Sequence, residues 1–326
     1  MVVVSFSWSR LTSPLQGYQS RLTAPPPHQL TPLSLTAIAA GFVTVLVGFA
    51  SSAVIVFQAA QSLGASPAQI SSWMWALGLG MGLTCIGLSL RYRMPVVTAW
   101  STPGAAMLIS SAAGLPLSDA VGAFMLSALL ICLAGFSGFF ERMISRIPVS
   151  LASGMLAGVL LRFGLEAFGA MKTQLGMVLT MFVVYLLARR LLPRYAVILT
   201  LLVGIAFAAG LGLLRVNGLA LELAKPIFLA PTFSLAAVVG IALPLFIVTM
   251  ASQNVPGVAV IRASGYPIPI SPVVGWTGVA NLLLAPFGAF ALNLAAITAP
   301  VCMGREAHED AARRYVAAIA AGGFYP

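Results

Sequence analysis

Long apolar runs separated by short polar loops occupy the chain from residue 33 onward. Runs of about membrane-spanning length fall at 33–60, 68–90, 95–113, 118–140, 147–169, 173–192, 195–214, 233–254, 271–287 and 288–303, and another begins near residue 315. Because these runs are continuously apolar and do not alternate with polar residues, they predict helices and not barrel strands. The pattern therefore predicts an all-α polytopic membrane protein, and the short loops predict that consecutive spans are antiparallel neighbours.

The third run, "PVVTAWSTPGAAML" (95–108), has a polar interruption at its centre. The interruption consists of hydroxyls and helix breakers, namely Thr98, Ser101, Thr102, Pro103 and Gly104. Proline lacks an N–H and disfavours helical geometry in the preceding residue, yet it suits the first turn of a helix capped by serine or threonine. We therefore expect extended chain over 96–101 and a half-helix over 103–113 that begins inside the membrane. The alternative is one Pro-kinked helix whose hydroxyls bond its own carbonyls.

A second interrupted segment has the same layout. "LAPFGAFALNLA" (284–295) matches "RMPVVTAWSTPG" (93–104), with Pro286 and Gly288 loosening the chain. Asn293 is then expected to cap a half-helix running through "LAAITAPVC". Seven spans separate the two copies, and an odd number means that the second copy is inverted in the membrane. Paired interrupted segments in an inverted repeat are typical of transporters and indicate the binding site.

The repeat divides the chain into three parts. Residues 1–32 are polar and Pro-rich and are expected to form a disordered cytoplasmic tail. Residues 33–215 form the first repeat of seven spans, and residues 233–326 form an incomplete second repeat, so we expect a transporter truncated after the start of span 11. By the inverted symmetry, the half-helices of spans 3 and 10 face each other at the midplane. Their N-termini then form an anion site that needs no buried Lys or Arg.

Other polar and aromatic residues are candidates for the same site. The segment "TMASQNVPG" (249–257) places the amides of Gln253 and Asn254 at membrane depth, where an amide without a partner is costly. Its counterpart "GFASSA" (48–53) offers Ser51 and Ser52, which equally suit helix packing. The candidates for aromatic walls are Phe49, Trp100 and Phe290, although each also suits ordinary packing.

Glu166 is the acidic residue that belongs neither to a loop nor to a span edge. Arg162 precedes it by four residues, so the two side chains share a helix face and can pair. A structural ion pair near the outer surface is the first interpretation of this spacing. The alternative is that Glu166 couples transport to protons.

Composition and charge agree with a membrane protein. Hydrophobic residues make up 60% of the chain and charged residues 7%, whereas an average soluble domain carries about a quarter charged residues. The net charge of +10 comes from Lys and Arg, most of which fall in every second loop and therefore on one side of the membrane. This charge distribution predicts a cytoplasmic N-terminus in the inner (plasma) membrane and excludes a basic patch for nucleic acid.

Three cysteines and two histidines form no ligand pattern, and no catalytic motif is present, so we expect no metal, no cofactor and no enzyme.

Four segments resemble the benzoate–proton symporter family: "SQNVPGVAVIRASGY" (252–266), "AWSTPGAA" (99–106), "LLRFGLEAF" (160–168) and "NLAAITAPVCMGREAHED" (293–310). The resemblance covers about residues 33–326. That family is related in fold to uracil and xanthine permeases and to sulfate-type anion exchangers. The resemblance implies an inverted seven-plus-seven repeat, in which a core domain (spans 1–4 and 8–11) moves against a gate domain (spans 5–7 and 12–14).

The resemblance also implies a function and a site. It implies secondary active transport of an aromatic carboxylate, such as benzoate, imported with a proton by alternating access. Carried over by position, the substrate-binding residues are Ser101, Thr102, Gly104, Asn293 and Leu294, flanked by Gln253 and Asn254. The glutamate that nucleobase relatives place on span 8 or 10 has no match here. The alternatives are a nucleobase or inorganic-anion permease of the same fold, or an anion channel, and relatives of this fold also suggest a homodimer.

Overall fold

The computed structural model describes residues 34–111, 114–144, 149–192, 195–214 and 224–325. Within these ranges the helices are α1 (Leu35–Ser62), α2 (Pro67–Tyr92), α3 (Thr102–Ser111), α4 (Leu117–Phe136), α5 (Phe139–Ile144), α6 (Val149–Leu191), α7 (Ala196–Gly210), α8 (Leu235–Ala263), α9 (Ile270–Leu284), α10 (Ala299–Met303) and α11 (Tyr315–Phe324). Two strands, β1 (Thr98–Trp100) and β2 (Leu292–Leu294), and 3-10 turns at Ala285–Phe287 and Ala311–Arg313 complete the elements. The tail predicted at 1–32 lies outside the described residues.

Six of the described helices are long and apolar enough to cross a membrane. They are α1, α2, α4, the part of α6 from Phe168 to Leu191, α8, and α9 with the turn that follows it. A shorter apolar helix lies at Ile198–Gly210. The prediction of an all-helical polytopic membrane protein is therefore confirmed, while the seven-plus-seven repeat remains a prediction.

Side-chain caps fix where the first two spans begin. The Ser34 hydroxyl accepts the N–H of Ala37 at the start of α1. At α2, the Ser66 hydroxyl accepts the N–H of Gln69 while the Gln69 side chain accepts the N–H of Ser66, which is a capping box. Pro67 occupies the first helical position, where its missing N–H costs nothing.

Helix α6 spans 43 residues, but it is not one straight span. Gln174 has the non-helical dihedrals φ −137° and ψ 55°, so two helices meet there. A continuous helix of this length would measure about 65 Å, roughly twice the ~30 Å of a hydrocarbon core. The break falls close to the boundary between the predicted runs 147–169 and 173–192.

Helix α8 contains two π-helical segments, Val238–Ala242 and Met250–Asn254. A proline, Pro244 or Pro256, lies two residues after the end of each segment. Because proline has no N–H for an internal helical hydrogen bond, the preceding turn widens while the helix continues. The prediction that this span ends at residue 254 was wrong, since the helix continues to Ala263.

The two interrupted segments cross each other as a small antiparallel sheet. Strand β1 pairs with β2 in the register Thr98 with Leu294, Ala99 with Asn293, and Trp100 with Leu292. The prediction of extended chain followed by a half-helix in the first segment is confirmed by β1 and by α3, which begins at Thr102. The strand pair is the one departure from all-α structure among the described residues.

The second segment differs from its prediction. Asn293 does not cap a helix, because its backbone belongs to β2, and the helix that follows begins only at Ala299 with Thr298 at its N-cap position. The Asn293 amide instead donates to the carbonyl of Ala291 at 2.9 Å. Ala291 has a φ of +46°, so this bond stabilises a left-handed residue immediately before the strand.

Close helix contacts depend on glycines. At Gly135 in α4, a Cβ would lie 2.4 Å from the backbone nitrogen of Gly275 in α9. At Gly41 in α1, a Cβ would lie 2.6 Å from the backbone nitrogen of Ala321 in α11. Small residues at such positions allow helix backbones to approach each other in a membrane, where van der Waals contact replaces the hydrophobic effect.

Helices α6 and α7 form a pair that borders the rest of the bundle. They pack against each other, α6 also contacts the Val255–Ala263 part of α8, and α7 contacts α1. The apolar side chains of α6 between Phe168 and Leu191 are largely exposed, as lipid contact requires. The other described helices pack around the two strands and enclose the largest buried side chains.

Candidate functional site

A cavity of about 460 Å³, counting the space open to its mouth, lies beside the crossing strands. Helices α1, α2, α3 and α8, strand β1, the loop after β2, and Tyr325 immediately after α11 all contribute to it. Its lining residues are Gly48, Phe49, Ser51, Ser52, Met81, Ala99, Trp100, Thr102, Gln253, Ala295, Ala296, Ile297, Thr298 and Tyr325. None of these described lining residues carries a charge.

Three aromatic side chains form one wall of this cavity. The rings of Phe49 and Trp100 meet edge to face, with 4.8 Å between their centroids. The rings of Phe49 and Tyr325 are tilted, with centroids 5.9 Å apart. Both separations lie in the range of favourable aromatic pairs. The cavity therefore offers flat apolar surfaces to a planar ring, and we call Phe49, Trp100 and Tyr325 the aromatic wall.

Hydrogen bonds fix the polar atoms of the aromatic wall. The indole Nε1–H of Trp100 donates to the Ser52 hydroxyl at 2.9 Å, and Ser52 donates to the carbonyl of Gly48 at 3.0 Å. The Tyr325 hydroxyl donates to the carbonyl of Thr98 at 3.3 Å. Neighbouring Ser51 also donates to the carbonyl of Gly48. Every donor of these four side chains is therefore directed at a protein acceptor.

Three other lining side chains have donors to spare. Within the described part of the chain, the side chains of Thr102, Gln253 and Thr298 make no hydrogen bond to the protein. Two are hydroxyls and one is a carboxamide, so together they offer two O–H groups and an NH₂ group. They come from α3, α8 and the loop before α10, and we call them the donor group of the cavity.

Hydroxyl and thiol groups of α2 hold strand β1 in place. The Ser89 hydroxyl donates to the carbonyl of Val96 and accepts its N–H, both at 3.1 Å. The N–H of Thr98 donates to Cys85 Sγ at 3.2 Å, and the Thr98 hydroxyl donates to the carbonyl of Met81. Extended chain at membrane depth requires such partners, because no water satisfies its backbone there.

Two asparagines hold strand β2. The side-chain oxygen of Asn254 accepts the N–H of Leu294 at 3.0 Å, and that of Asn281 accepts the N–H of Leu292 at 3.4 Å. Gly257 lies one turn after Asn254, and a Cβ there would lie 2.8 Å from the carbonyl oxygen of Leu294. Asn254 is fully buried and does not line the cavity.

The structure brings three of the predicted substrate-binding residues to the cavity: Phe49, Thr102 and Gln253. The other predicted substrate-binding residues are buried behind the cavity lining, in or next to the two interrupted segments. These residues are Ser101, Gly104, Asn293, Leu294, Asn254 and Phe290. Ser101 caps the start of α3, since its hydroxyl accepts the N–H of Gly104 at 3.0 Å. Phe290 packs against the rings of Trp73 and Phe124 in the interior.

Glu166 lies within α6, but its side chain is outside the described part of the structure, as is that of Arg162. Their pairing therefore stays a prediction. Among the described residues, no group of three or more His, Cys, Asp and Glu side chains is placed to hold a metal ion.

Among the lining side chains that carry a hydroxyl, sequence reasoning missed two, Thr298 and Tyr325. Thr298 precedes "AP", much as Thr102 precedes Pro103, so the repeat layout contained a signal for it. Tyr325 directly follows α11, whose sequence "YVAAIAAGGF" indicates only an apolar helix. Its position beside Phe49 depends on how α11 packs against α1, which the local pattern does not reveal.

Comparisons with known proteins agree on one family. Residues 31–326 match the family described as "Benzoate membrane transport protein". The chain is 48% identical over 286 residues to "Inner membrane protein YdcO" of Escherichia coli (strain K12), an alignment that covers 88% of this chain and 73% of that protein. It is 41% identical over 292 residues to "Benzoate membrane transport protein" of Acinetobacter baylyi, with 90% of this chain and 74% of that protein covered.

Proposed function

The chain belongs to the benzoate membrane transport family, and from this premise we propose that it imports benzoate, or a similar aromatic carboxylate, together with a proton. It acts as a secondary transporter by alternating access and not as an enzyme. The observation that carries the proposal is the cavity itself, in which an aromatic wall and an unpartnered donor group line the same space.

The ring of the substrate rests on the aromatic wall. Phe49, Trp100 and Tyr325 present apolar faces and edges, and aromatic pairs contribute about 0.5–1.5 kcal/mol each beyond the area they bury. A sulfate ion or another inorganic anion gains nothing from such surfaces. The wall therefore favours an aromatic substrate over an inorganic one.

The carboxylate of the substrate faces the donor group. Thr102 lies at the start of the ten-residue helix α3, whose N-terminal end carries a partial positive charge. Gln253 and Thr298 add neutral donors from other elements. Donors of this kind bind an anion without the desolvation cost of a buried lysine or arginine. Because neutral donors attract an anion less strongly than a full positive charge does, the anion can also leave the site again.

Proton coupling takes one of two routes in this proposal. The described lining residues include no carboxyl group and no histidine, so the proton travels on the carboxyl group of the substrate or through Glu166 of α6. A Glu166→Gln variant separates the two routes. Gradient-dependent uptake that persists in this variant favours the substrate as the carrier, and uptake that no longer responds to the gradient favours Glu166.

Alternating access follows from the inverted repeat, which we propose on the matching layout of the two strand-and-helix segments. In this proposal residues 33–215 and 233–326 are the two copies, with core spans 1–4 and 8–11 moving against gate spans 5–7. Helices α6 and α7 belong to the gate, consistent with their position as a separate pair at the border of the bundle. The protein lies in the inner membrane with a cytoplasmic N-terminus, and a homodimer is its proposed assembly.

The test is uptake of radiolabelled benzoate by proteoliposomes under an inward proton gradient. We expect saturable uptake that collapses when a protonophore removes the gradient. Gln253→Leu removes a cavity donor and is expected to reduce uptake by about tenfold or more, because hydrogen bonds to charged groups contribute about 1.5–3 kcal/mol. Ser252→Ala is the matched control, since neighbouring Ser252 is exposed outside the cavity and bonds only the carbonyl of Val248.

The same assay tests the rival functions. Uptake of uracil or sulfate in place of benzoate would assign the chain to another substrate class of transporter. Non-saturable flux of many anions, without accumulation against a gradient, would indicate a channel. Equal benzoate uptake by Gln253→Leu and Ser252→Ala would contradict the proposed site.

A further inference from the structure

Tyr325 in the aromatic wall, and Ser52 bonded to Trp100 of that wall, have hydroxyl hydrogens that already point at protein acceptors. Ser52 accepts a hydrogen from Trp100 Nε1 and directs its own hydrogen at the carbonyl of Gly48. Tyr325 directs its hydrogen at the carbonyl of Thr98. Because a carbonyl only accepts and an indole N–H only donates, these assignments follow from chemistry and need no observed hydrogens. What the two hydroxyls still offer to the cavity is lone pairs.

The polar lining of the cavity is therefore divided in two. The donor group of Thr102, Gln253 and Thr298 has free hydrogens as well as lone pairs, whereas Ser51, Ser52 and Tyr325 have only lone pairs left to offer. A carboxylate is acceptor-only, so it is repelled by the second set and binds the first. When the carboxylate of a ligand binds the donor group, other positions of its ring lie toward Ser52 and Tyr325.

We propose, resting on the proposed function, that Ser52 and Tyr325 recognise a hydrogen-bond donor on the ring, so that the substrate class includes benzoates hydroxylated at the meta or para position. A phenolic O–H donates to one of these oxygens, and a fluorine atom of similar size does not. A net hydrogen bond contributes about 0.5–1.5 kcal/mol, which corresponds to about two- to tenfold in affinity. The ortho position is different, because an ortho hydroxyl bonds its own carboxylate and has no hydrogen left for the wall.

The experiment is competition against labelled benzoate on the purified full chain. The ratio of inhibition constants is measured between each hydroxybenzoate and its fluorobenzoate counterpart, at the ortho, meta and para positions. We expect the hydroxyl compound to bind about two- to tenfold more tightly at the meta or para position, with no such advantage at the ortho position. Each ratio is taken within one protein variant, so it does not depend on how strongly that variant binds benzoate.

Two variants locate the effect. Tyr325→Phe keeps the ring and removes the phenolic oxygen, and Ser52→Ala removes the other acceptor and leaves the Trp100 N–H as a donor. The variant that lacks the accepting oxygen is expected to move the meta or para ratio toward one. Tyr195→Phe is the matched control, because Tyr195 is exposed and does not line the cavity, and it is expected to keep the wild-type ratio.

The outcomes separate this inference from the proposed function. Benzoate binding without a hydroxyl preference at either position overturns the inference alone. A preference that is unchanged in both Tyr325→Phe and Ser52→Ala also overturns it, since the hydroxyl would then be recognised elsewhere. Absence of benzoate binding by the wild-type chain overturns the proposed function, and the inference with it.

Discussion

Gly257 lies where helix α8 crosses strand β2, and its replacement by alanine tests whether that crossing positions the cavity. A Cβ at this position would lie 2.7 Å from the Cβ of Leu294 and 2.8 Å from its carbonyl oxygen, against 3.4–4 Å for ordinary contact. The obstacle is mostly strand backbone, which is paired with β1 and bonded to Asn254, so it has little freedom to move. Gly257→Ala therefore requires β2 to shift by several tenths of an ångström.

The expected cost combines two opposing effects. Overpacking of this kind costs about 1–3 kcal/mol, and replacing a helical glycine by alanine returns about 0.5–1 kcal/mol. The net destabilisation is up to about 2.5 kcal/mol, or up to about 4 °C in the melting temperature of a protein of 326 residues. Because β2 leads directly into the lining segment from Ala295 to Thr298, we also expect Gly257→Ala to weaken benzoate binding.

The matched control is Gly240→Ala in the same helix. Among the described residues, no atom lies within 4 Å of a Cβ at Gly240, so this variant gains helix propensity without a clash and is expected to be as stable as the wild type or slightly more so. Thermal unfolding and equilibrium benzoate binding are measured on both variants in detergent. Equal stability of Gly257→Ala and Gly240→Ala would refute the packing argument, and a destabilised Gly257→Ala with wild-type binding would refute the link between β2 and the cavity.

Three further substitutions test separate parts of the account. Asn254→Leu leaves the buried N–H of Leu294 without an acceptor, so the free energy of unfolding is expected to fall by about 1–3 kcal/mol; an unchanged melting temperature would contradict this. Gly288→Ala places a Cβ 1.8 Å from Trp73 Cδ1 at a φ of +101°, and it is expected to abolish folded protein on size-exclusion chromatography. Arg314→Gln removes donations to three backbone carbonyls, and faster proteolysis between α10 and α11 is expected, with Arg305→Gln as the comparison.

Local sequence chemistry predicted the first interrupted segment well. Pro103, preceded by hydroxyls, indicated extended chain followed by a helix start, and the structure has β1 and α3 there. The same reasoning placed a helix start at Asn293, where the structure has a strand. The side chain of Asn293 bonds the carbonyl of Ala291 instead, and only the pairing of β2 with the distant β1 decides that this segment is a strand.

The sequence predicted only part of the cavity lining. Phe49, Thr102 and Gln253 lie next to the polar interruptions, so sequence proximity identified them as candidates. Asn254 adjoins Gln253 in the chain, yet its side chain turns to the backbone of β2. Tyr325 joins the aromatic wall only because α11 packs on α1. Which face of a helix meets a cavity depends on tertiary packing, and an apolar span carries little periodic signal of it.

The most direct test of the central claim, that this cavity binds benzoate, is protection of an introduced thiol. Ser51→Cys places a thiol on the cavity lining, and Ser110→Cys places one at an exposed position on α3 outside it. Both serines bond only a carbonyl three residues earlier, and the native cysteines are buried. We predict that benzoate slows thiol modification of the Ser51→Cys variant and leaves that of Ser110→Cys unchanged. Equal modification rates of Ser51→Cys with and without saturating benzoate would contradict the account.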